Sequence, residues 1–453
     1  MHYDVIVLGA GPGGYLAAER AGHAGLKTMV VEKKNIGGVC LNEGCVPSKT
    51  LLNSAKIYEY TKDGQKYGVT CENVLYDQEK VVKRKDKVVK ALVSGVQATL
   101  KKNKVEIVSG EGSIIGKTSQ GFVIKANNEE HSCTNLIIAT GSEAIVPPIP
   151  GVKESFEKGI VVTNREILSL ESVPKKLTVV GGGVIGLEMA SYYATVGSKV
   201  TVIEMLDRIG GYTDIEIGTI LKGNLEKKGI NFLLGTKVTR VQDNVVYYEM
   251  DGKESTVESD KILLSIGRRA NTANIGLEKL SLATERGAVK VDETCQTNVP
   301  GVYAVGDVNG KSMLAHTAYR EAEVAVNTIL GKKDIMRYTA IPSVIYTNPE
   351  VASVGETEET AKSKGLDYEV KKISMNYSGR YMAENEGGNG ITKVLIEKKY
   401  NKIIGIQMIG SYASEIIYGG GIMVETEMLV KDLKEIVFPH PTVSEIIREA
   451  IFQ

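Results

Sequence analysis

The sequence predicts an α/β protein with two Rossmann-like βαβ units and a mixed α+β domain towards the C-terminus. A strand, a glycine-rich turn, a helix and a second strand open the chain, and the same arrangement returns near residue 176. From about residue 338 the composition changes, and strand-like segments continue without a glycine motif. At 453 residues the chain is long enough for roughly two to four domains with sizeable cores.

The charges of the chain balance. Lys and Arg number 55, Asp and Glu number 55, and the formal net charge is zero. Such a chain has no long-range field to attract nucleic acid or an anionic membrane. No stretch reaches the roughly 18 apolar residues of a membrane span, and no basic leader or cleavage site precedes the first strand. We therefore expect a cytoplasmic protein without membrane or nucleic-acid partners.

The first βαβ unit begins at the N-terminus. Residues Asp4–Leu8 are apolar and predict a buried strand, Gly9–Gly14 form a Gly-x-Gly-x-x-Gly turn, Tyr15–Gly25 predict a helix, and Lys27–Glu32 predict the second strand. This context makes the glycine motif a specific sign of a dinucleotide site.

Each glycine of that motif has a physical task. Gly9 permits the tight turn, Gly11 lets the backbone approach a pyrophosphate, and Gly14 lets the helix pack closely on the strand. The helix N-terminus offers free N–H groups and partial positive charge to phosphates. Glu32 at the end of the second strand can accept hydrogen bonds from ribose hydroxyls.

The second unit repeats the first. Lys176–Val180 predict a strand, Gly181–Gly186 form the turn, a helix runs through Ala194, and Lys199–Glu204 predict the next strand. The acid follows the first glycine by 23 positions in both copies, so we expect two dinucleotides.

The second dinucleotide is expected to be NAD. Glu204 would repel a 2′-phosphate, and the residues after it are Met205-Leu206-Asp207-Arg208 rather than the Arg pair that favours NADP.

Five segments lie around the two motifs. An amphipathic, lysine-rich surface helix is predicted at Val81–Lys104 and short strands with turns at Val105–His131. Leu136–Gly141 and Ile262–Gly267 predict buried strands that end at glycine turns, each closing its nucleotide domain, and Val146–Gly151 is a turn-rich linker.

A further strand is predicted at Thr297–Asp307, and a long helix is predicted after Met313–His316. Asp307 ends that strand beside the start of a helix. It is placed either to bind the polyol chain of a flavin or to serve as an ordinary turn aspartate.

The C-terminal domain is predicted to be mixed and antiparallel. Ala340–Tyr346 resemble a strand, and Ile391–Glu397 with Lys402–Met408 predict a hairpin around residues 398–401. Two helices are predicted after the hairpin.

Two cysteines stand just after the first glycine motif, in the segment Gly37–Lys49. Cys40 and Cys45 enclose four residues, so their sulfurs meet only if the backbone coils tightly, which Gly44 permits before Pro47 fixes the exit. We interpret the pair as a redox-active disulfide against a bound cofactor. Half of a metal site and a pair of buried structural thiols are the alternatives, although no second Cys pair lies nearby.

The remaining cysteines are Cys71, Cys133 and Cys295, which we expect to be inert structural thiols. An odd total with one close pair is not a secreted disulfide framework, and it suits a reducing compartment.

The last segment carries a candidate base. His440 is held between two prolines, and Glu445 opens the final predicted helix. The carboxylate can orient one ring nitrogen and leave the other to act as a base, although a satisfied structural histidine fits the same pattern. The other histidines are expected to be non-catalytic: His2, His23, His131 and His316.

Together these motifs resemble the pyridine nucleotide–disulfide oxidoreductase family, in particular its members that oxidise dihydrolipoyl groups. The resemblance covers nearly the whole chain, in the family's order. Its motifs are the two glycine turns, Gly-Gly-x-Cys-x4-Cys-x-Pro-Ser-Lys at 37–49, Ala-Thr-Gly at 139–141, Gly-x-Gly-x-x-Gly-x-Glu at 181–188, Gly-Asp at 306–307 and His-Pro-Thr-x-x-Glu at 440–445.

The resemblance implies a homodimer with FAD and NAD as cofactors. The expected domains are an FAD-binding domain at 1–145, an NAD-binding domain at 146–270, a return to the FAD domain at 271–337 and a dimerisation domain at 338–453. Lipoyl domains of an acyltransferase (E2) or of an H-protein are the implied partners, in a 2-oxo acid dehydrogenase complex or the glycine cleavage system. No metal is implied.

The resemblance also assigns catalytic roles. Cys45 would be the charge-transfer thiol beside the flavin and Cys40 the interchange thiol that meets substrate. Lys49 would lie near the flavin and pair with Glu188.

His440 and Glu445 would come from the partner subunit. His440 would take a proton from the dithiol, and its thiolate would attack Cys40.

The remaining assigned residues would contact the cofactors. Those for FAD are Gly9, Gly11, Gly14, Glu32, Lys49, Gly112, Thr140, Gly141, Ser142, Asp307, Met313, Leu314, Ala315 and His316. Those for NAD are Gly181, Gly183, Ile185, Gly186, Glu188, Glu204, Val238 and Gly267.

Three positions depart from the family's pattern: Val39, Glu43 and Phe438. None is a reacting group, and they bear on the disulfide potential and the substrate mouth. The competing interpretations are a glutathione-type reductase, whose NADP-binding Arg residues are not seen after Glu204, and a non-catalytic NADH-binding flavoprotein. A mercuric reductase would need a C-terminal Cys pair, which the ending Ala450–Gln453 does not supply.

Overall fold

The computed structural model describes residues 1–453, which form two compact units. The first unit comprises Met1–Thr50, Glu79–Ile145 and Gly267–Arg337, and the second comprises Leu51–Gln78, Val146–Ile266 and Tyr338–Gln453. The four-part division predicted above stays a prediction.

Fourteen α-helices occur along the chain. They are α1 Pro12–His23, α2 Gly38–Glu43, α3 Cys45–Lys62, α4 Gln78–Lys102, α5 Val152–Glu157, α6 Asn164–Ile167, α7 Val184–Thr195, α8 Ile215–Lys227, α9 Ala315–Ile329, α10 Glu358–Ser363, α11 Gly379–Asn385, α12 Ala413–Glu425, α13 Val430–Glu435 and α14 Glu445–Phe452. No helix is long and apolar enough to cross a membrane.

Twenty-four strands accompany them. They are β1 His2–Leu8, β2 Thr28–Glu32, β3 Glu106–Ser109, β4 Gly112–Thr118, β5 Gly121–Ala126, β6 Glu129–Ile138, β7 Ser142–Ala144, β8 Val161–Val162, β9 Lys176–Val180, β10 Lys199–Ile203, β11 Asn231–Leu233, β12 Lys237–Gln242, β13 Val245–Met250, β14 Lys253–Glu258, β15 Lys261–Leu264, β16 Arg268–Ala270, β17 Thr284–Glu285, β18 Ala288–Val289, β19 Val302–Ala304, β20 Ser343–Ile345, β21 Glu350–Gly355, β22 Tyr368–Ser374, β23 Ile391–Glu397 and β24 Lys402–Gly410.

The first unit is built on one large sheet. Its order is β3-β2-β1-β6-β5-β4, and β19 pairs with β6. Strand β1 runs parallel to both β2 and β6, so Val7 faces Val30 on one side and Ile137 on the other. Such central parallel strands are apolar throughout because both faces are covered. The sheet therefore ends at one edge in the carboxyl termini of β1, β2 and β6, where ligands bind in open α/β sheets.

The second unit contains a smaller parallel sheet in the order β11-β10-β9-β15-β8 and an antiparallel sheet β12-β13-β14. Their apolar side chains share one core, which includes Val180, Ile203, Val246 and Ile262. The register of β9 and β10 sets Val180 against Ile203, directly before the second glycine turn and Glu204.

The C-terminal part of the second unit is an antiparallel sheet in the order β20-β21-β24-β23-β22. Residues from this sheet, from α12 and from α14 bury a common core that includes Met408, Ile417 and Ile447. The predicted hairpin is confirmed, since β23 pairs with β24 from Ile391 opposite Ile409 to Glu397 opposite Lys402.

Several predicted elements are confirmed with small shifts. The strand at Lys176–Val180 has the predicted bounds, and the surface helix predicted at 81–104 is α4 at 78–102. The linker 146–151 contains no helix or strand. Helix α1 begins at Pro12 rather than Tyr15, because proline suits the first turn, where an N–H is not needed.

One predicted strand starts earlier and ends sooner than expected, and two predictions about local structure were wrong. The strand predicted at 136–141 is only the end of the longer β6, which turns back from β5. The strand predicted at 297–307 is reduced to β19, because Pro300-Gly301 turns the chain before it. Pro47 does not mark an exit from the cysteine loop, since it lies in the first turn of α3.

Candidate active site

The first glycine turn is closed by backbone contacts. Gly9 has a φ of +99°, and a Cβ there would lie 2.3 Å from the carbonyl oxygen of Ala139. A Cβ on Gly14 would lie 1.9 Å from the carbonyl oxygen of Gly9, so α1 packs directly against the strand end. At Gly11 the nearest such atom is 3.9 Å away, the Cα of Gly38. Only the middle glycine leaves room for a ligand, as a pyrophosphate requires.

The second glycine turn has the same construction. Gly181 has a φ of +106°, and its Cβ would lie 2.3 Å from the carbonyl oxygen of Ser265. A Cβ on Gly186 would lie 2.2 Å from the carbonyl oxygen of Gly181, whereas one on Gly183 would meet nothing within 4 Å. Helices α1 and α7 both lack a side-chain cap, which leaves first-turn N–H groups for a phosphate.

The carboxylates of Glu32 and Glu204 accept the same pattern of backbone hydrogen bonds. Glu32 accepts the N–H of Ala10 at 2.7 Å on one oxygen and the N–H of Lys34 at 2.8 Å on the other. Glu204 accepts the N–H of Gly182 at 2.6 Å and, on its second oxygen, the N–H of Leu206 at 2.8 Å. Each carboxylate keeps lone pairs for ribose hydroxyls. The turns and acids therefore fit two dinucleotides.

The cysteine pair lies in the segment Gly37–Lys49, which packs against the first glycine turn at Gly38. Gly38 has a φ of +58°, and a Cβ there would lie 2.6 Å from the Cα of Gly11. Cys40 lies in α2, and Cys45 begins α3 after Gly44. The backbone thus coils as the spacing requires, and glycine is needed where the loop meets the turn.

Cys40 and Cys45 are free thiols that hydrogen-bond to each other. The hydrogen bond to Cys45, burial and the negative charge of Cys45 raise the pKa of Cys40 far above its usual range, and Lys49 opposes the rise. Cys40 is half-buried and Cys45 is exposed, so they are not a buried structural pair. No cluster of three or more His, Cys, Asp or Glu side chains forms a metal-binding group.

The other thiols differ in environment. Burial raises the pKa of Cys133 to about 12 and raises that of Cys295 still further. Both fit the expectation of inert structural thiols. Cys71 is exposed, so a structural role in a core does not account for it.

Asp307 lies in a 3₁₀ turn at 306–309, held by a short network. The hydroxyl of Ser142 donates to Asp307 Oδ2 at 2.5 Å, and Arg268 Nε donates to the same hydroxyl at 2.7 Å. The N–H of Gly306 is bound by the buried carboxylate of Glu321 at 2.6 Å. Sequence reasoning missed Arg268, whose only signal is its place after the glycine that ends a buried strand.

Thr140 and Gly141 meet a second missed residue, Asn271. The Thr140 hydroxyl donates to the Asn271 carbonyl at 2.7 Å, and the Asn271 amide donates to the Thr140 carbonyl at 3.1 Å. The N–H of Asn271 donates to the Gly141 carbonyl at 2.9 Å. These bonds fix the chain where it leaves β6.

Helix α9 begins at Ala315, with Leu314 as its N-cap and no side-chain cap. His316 lies in its first turn, and Met313, one position before the N-cap, is exposed. First-turn N–H groups of α9 are thus available for main-chain contacts of the predicted kind.

Gly112 begins β4 where β1 and β2 end. A Cβ there would lie 2.8 Å from Leu8 Cδ2 and 3.0 Å from Val31 Cγ1, so a side chain at this position would clash with the strand ends.

The residues assigned to NAD other than the glycines of the turn and Glu204 lie in several elements. Ile185 is exposed in the first turn of α7, and Val238, a residue of β12, is buried in the core. Gly267 accepts the N–H of Ile145 at 3.1 Å. Glu188 is buried on α7 and accepts the N–H of Tyr346 at 3.1 Å, a partner that the sequence did not indicate.

The candidate base lies at the start of α14. His440 Nδ1 is 2.9 Å from Glu445 Oε1, and the N–H of Thr442 donates to Glu445 Oε2 at 2.9 Å. The Thr442 N–H and then His440 lower the pKa of Glu445 below its ordinary value. The side chain of His440 is 79% exposed. Glu445 therefore holds Nδ1, and Nε2 is the ring nitrogen that it does not bind.

The comparisons with known proteins match this geometry. Residues 3–322 match the family described as pyridine nucleotide-disulphide oxidoreductase, and residues 341–451 match its dimerisation domain. The chain belongs to this family. Its members use FAD and NAD, so the predicted fold class, oxidoreductase activity and cofactors are confirmed. The family's dimerisation domain supports the predicted homodimer.

Relatives within the family are similar over their full length. A dihydrolipoyl dehydrogenase from Mycoplasma pneumoniae is 40% identical over 453 residues, which cover 99% of this chain and 98% of the relative. One from Geobacillus stearothermophilus is 40% identical over 99% of this chain and 95% of its own.

Solved structures of flavoprotein disulfide reductases share the fold of this chain. LpdA from Mycobacterium tuberculosis has a TM-score of 0.90 at 25% identity, covering 99% of this chain and 98% of its own. The HOCl-induced flavoprotein disulfide reductase RclA from Escherichia coli has a TM-score of 0.87 at 25% identity, covering 99% of both chains.

Proposed function

We propose that the protein is a dihydrolipoyl dehydrogenase, which oxidises protein-bound dihydrolipoyl groups and reduces NAD to NADH. The observation that carries the proposal is the hydrogen-bonded pair Cys40–Cys45 on a loop packed against the first dinucleotide turn. A dithiol placed there can exchange electrons with a group bound at the turn. The full-length relatives carry the same activity in their names.

The thiol chemistry starts from the oxidised pair. The partner subunit's His440 accepts a proton from one substrate thiol, and the resulting thiolate attacks Cys40. The bond between the two protein sulfurs breaks, and Cys45 leaves as a thiolate. The second substrate thiol then loses its proton and attacks the mixed disulfide, which releases Cys40 and the oxidised lipoyl ring.

Two electrons from the substrate now reside on Cys40 and Cys45. FAD, when bound, supplies the two-electron relay between this dithiol and NAD. Lys49, four residues after Cys45, opposes the rise in the pKa of the Cys40 thiol, because its positive charge favours the thiolate form. We propose that it also pairs with Glu188.

The chain's own residues would hold the cofactors in the manner predicted. The first turn with Glu32, the Ser142–Asp307 network and the N-terminus of α9 would hold FAD. The second turn with Glu204 would hold NAD, and the remaining assigned contacts stay with these two groups.

The partners we propose are lipoyl domains, which bring the dithiol to the enzyme on a flexible arm. They would come from an acyltransferase (E2) or an H-protein. We propose that a dimer completes each site, because the side chain of His440 is 79% exposed in its own chain and can reach a partner subunit. The cytoplasmic location stays a prediction.

The test is anaerobic mixing of the purified yellow protein with dihydrolipoamide and then NAD. A long-wavelength thiolate-to-flavin absorption band followed by NADH formation is expected. Cys45→Ser should abolish the band, and Cys71→Ser is the matched control that should leave both signals unchanged. A band with NADH but none with dihydrolipoamide would refute the substrate assignment, and no band with either would refute the redox role of the pair.

A further inference from the structure

An unusual ion cluster lies inside the second unit. The Nζ of Lys393 is 2.9 and 3.1 Å from the two carboxylate oxygens of Asp214 and 3.3 Å from Glu216, and it also contacts Glu358. The side chain of Lys393 is 3% exposed and that of Asp214 is fully buried. Charged residues are almost never buried to this degree unless they are paired.

The ammonium of Lys393 is stabilised by its partners. Burial opposes the charge on Lys393, but the hydrogen bonds to Glu358 and Asp214 outweigh it and raise the pKa of the ammonium above its ordinary value. Lys372, the register partner of Lys393 on β22, binds Glu216 at 3.0 Å from a more exposed position. One buried ammonium thus faces three carboxylates, with a second ammonium at the edge.

Asp214 has a second task, as the N-cap of α8. Its Oδ1 accepts the N–H of Ile217 at 3.2 Å. Lys393 lies on β23, which has paired neighbours on both sides, β22 and β24. The start of α8 is therefore fixed to a central strand of the C-terminal sheet through Lys393, which binds Asp214 at the N-cap and Glu216 in the first turn.

The loop that ends at Asp214 begins at Glu204. Along the way it returns to the second glycine turn, because the N–H of Gly210 donates to the carbonyl of Gly182 at 2.8 Å. The N–H of the same Gly182 donates to Glu204 at 2.6 Å. Thr213 closes the loop with a hydroxyl bond to the Gly210 carbonyl at 2.9 Å.

Both backbone polar groups of Gly182, its N–H and its carbonyl, are thus hydrogen-bonded to residues of one loop. That loop, residues 204–214, begins directly after β10 and ends at Asp214, which forms the buried pair with Lys393. A displacement of Asp214 would shift Thr213 and Gly210, and through the hydrogen bond from Gly210 it would shift the second glycine turn. Neither residue of the pair belongs to the glycine motif or to the catalytic groups.

We propose that Lys393 is a positioning residue for NAD, which anchors the loop 204–214 and with it the second glycine turn through Asp214. The inference rests on the proposed role of that turn in binding NAD. It predicts that loss of the anchor weakens binding of the nucleotide selectively, since the dithiol chemistry uses other residues. A displacement of even about 1 Å at a positioned group is costly.

The experiment compares four forms of the full-length holoenzyme: wild type, Lys393→Met, Lys372→Met and the double variant Asp214→Asn with Lys393→Met. The double variant is included because Lys393→Met alone leaves a buried unpaired carboxylate, which destabilises the fold. An asparagine at 214 still caps α8 and carries no charge. Lys372→Met is the matched control, since it removes an ammonium from the neighbouring strand without touching Asp214.

The readouts are the dissociation constant of NADH, by equilibrium titration, and the KM values for NAD and dihydrolipoamide. We expect the double variant to fold, to bind NADH roughly 10-fold more weakly and to raise the KM for NAD by a similar factor, with the KM for dihydrolipoamide unchanged. Lys372→Met should match wild type in all three.

The inference would be overturned by a folded double variant with the wild-type affinity for NADH, or by equal losses in both KM values. It would also fall if wild type did not bind NADH. If wild type binds NADH but does not oxidise dihydrolipoamide, the proposed function fails alone, because the NADH titration needs no dithiol substrate.

Discussion

Replacing Glu445 with glutamine is expected to slow dithiol oxidation about tenfold. When His440 accepts a proton from substrate, its ring becomes positive 2.9 Å from Glu445 Oε1. The dielectric of water sets the lower limit of the attraction, and at that limit a pair of unit charges at this distance attracts by about 1.4 kcal/mol. Glutamine keeps the shape and one hydrogen bond but loses the charge. A loss of about 1.4 kcal/mol from the transition state corresponds to a factor of about ten in rate.

The assay is steady-state NADH formation at saturating NAD and dihydrolipoamide, with NADH binding measured in parallel. Glu449→Gln is the matched control, because Glu449 lies on the same helix and pairs with Arg448 at 2.7 Å instead. We expect the control to keep the wild-type rate and both variants to bind NADH normally. An unchanged rate in Glu445→Gln, or an equal fall in Glu449→Gln, would refute the role given to Glu445.

Two further outcomes follow from the packing and the charges. Gly186→Ala should abolish NADH binding in a titration, because its Cβ would lie 2.2 Å from the Gly181 carbonyl oxygen. Gly223→Ala is the matched control in the middle of α8, where a Cβ meets nothing within 4 Å, and it should raise the free energy of unfolding by about 0.5–1 kcal/mol. Asp334→Asn should lower stability at neutral pH by about 1 kcal/mol, since hydrogen bonds from Arg320, itself 43% exposed, hold the pKa of Asp334 down. A carboxylate whose pKa is lowered in the folded state contributes stability above its unfolded pKa and loses it as the pH falls. Denaturant titrations should therefore show that the difference in unfolding free energy between wild type and Asp334→Asn shrinks below about pH 4. A difference that does not depend on pH would contradict this.

The parts of the site that are local in sequence could be predicted from sequence. Gly9, Gly181 and the acids that follow them act through backbone conformation and short-range hydrogen bonds, which depend on residue type and spacing. The hairpin of β23 and β24 was equally predictable, because two apolar runs on either side of a polar turn are local signals.

The parts formed across the chain could not be predicted. Arg268 reaches Ser142 across 126 positions, and Lys393 reaches Asp214 across 179. Nothing near Lys393 in the sequence marks it as buried, because lysine on a strand is usually read as solvent-facing. The long strand at 297–307 failed for the opposite reason, since a local turn at Pro300 interrupts an apolar run. The individual cofactor contacts stay predictions that rest on the family resemblance.

The matching closure of the two glycine turns bears on how the sequence can diverge. At Gly14 and at Gly186 an added methyl group would strike a carbonyl oxygen of the same turn, so repacking side chains elsewhere cannot relieve the clash. Each copy is therefore under its own selection, independent of the other. The internal repeat can be recognised in a single chain for this reason: the two units match at the positions where the backbone leaves no room for another residue.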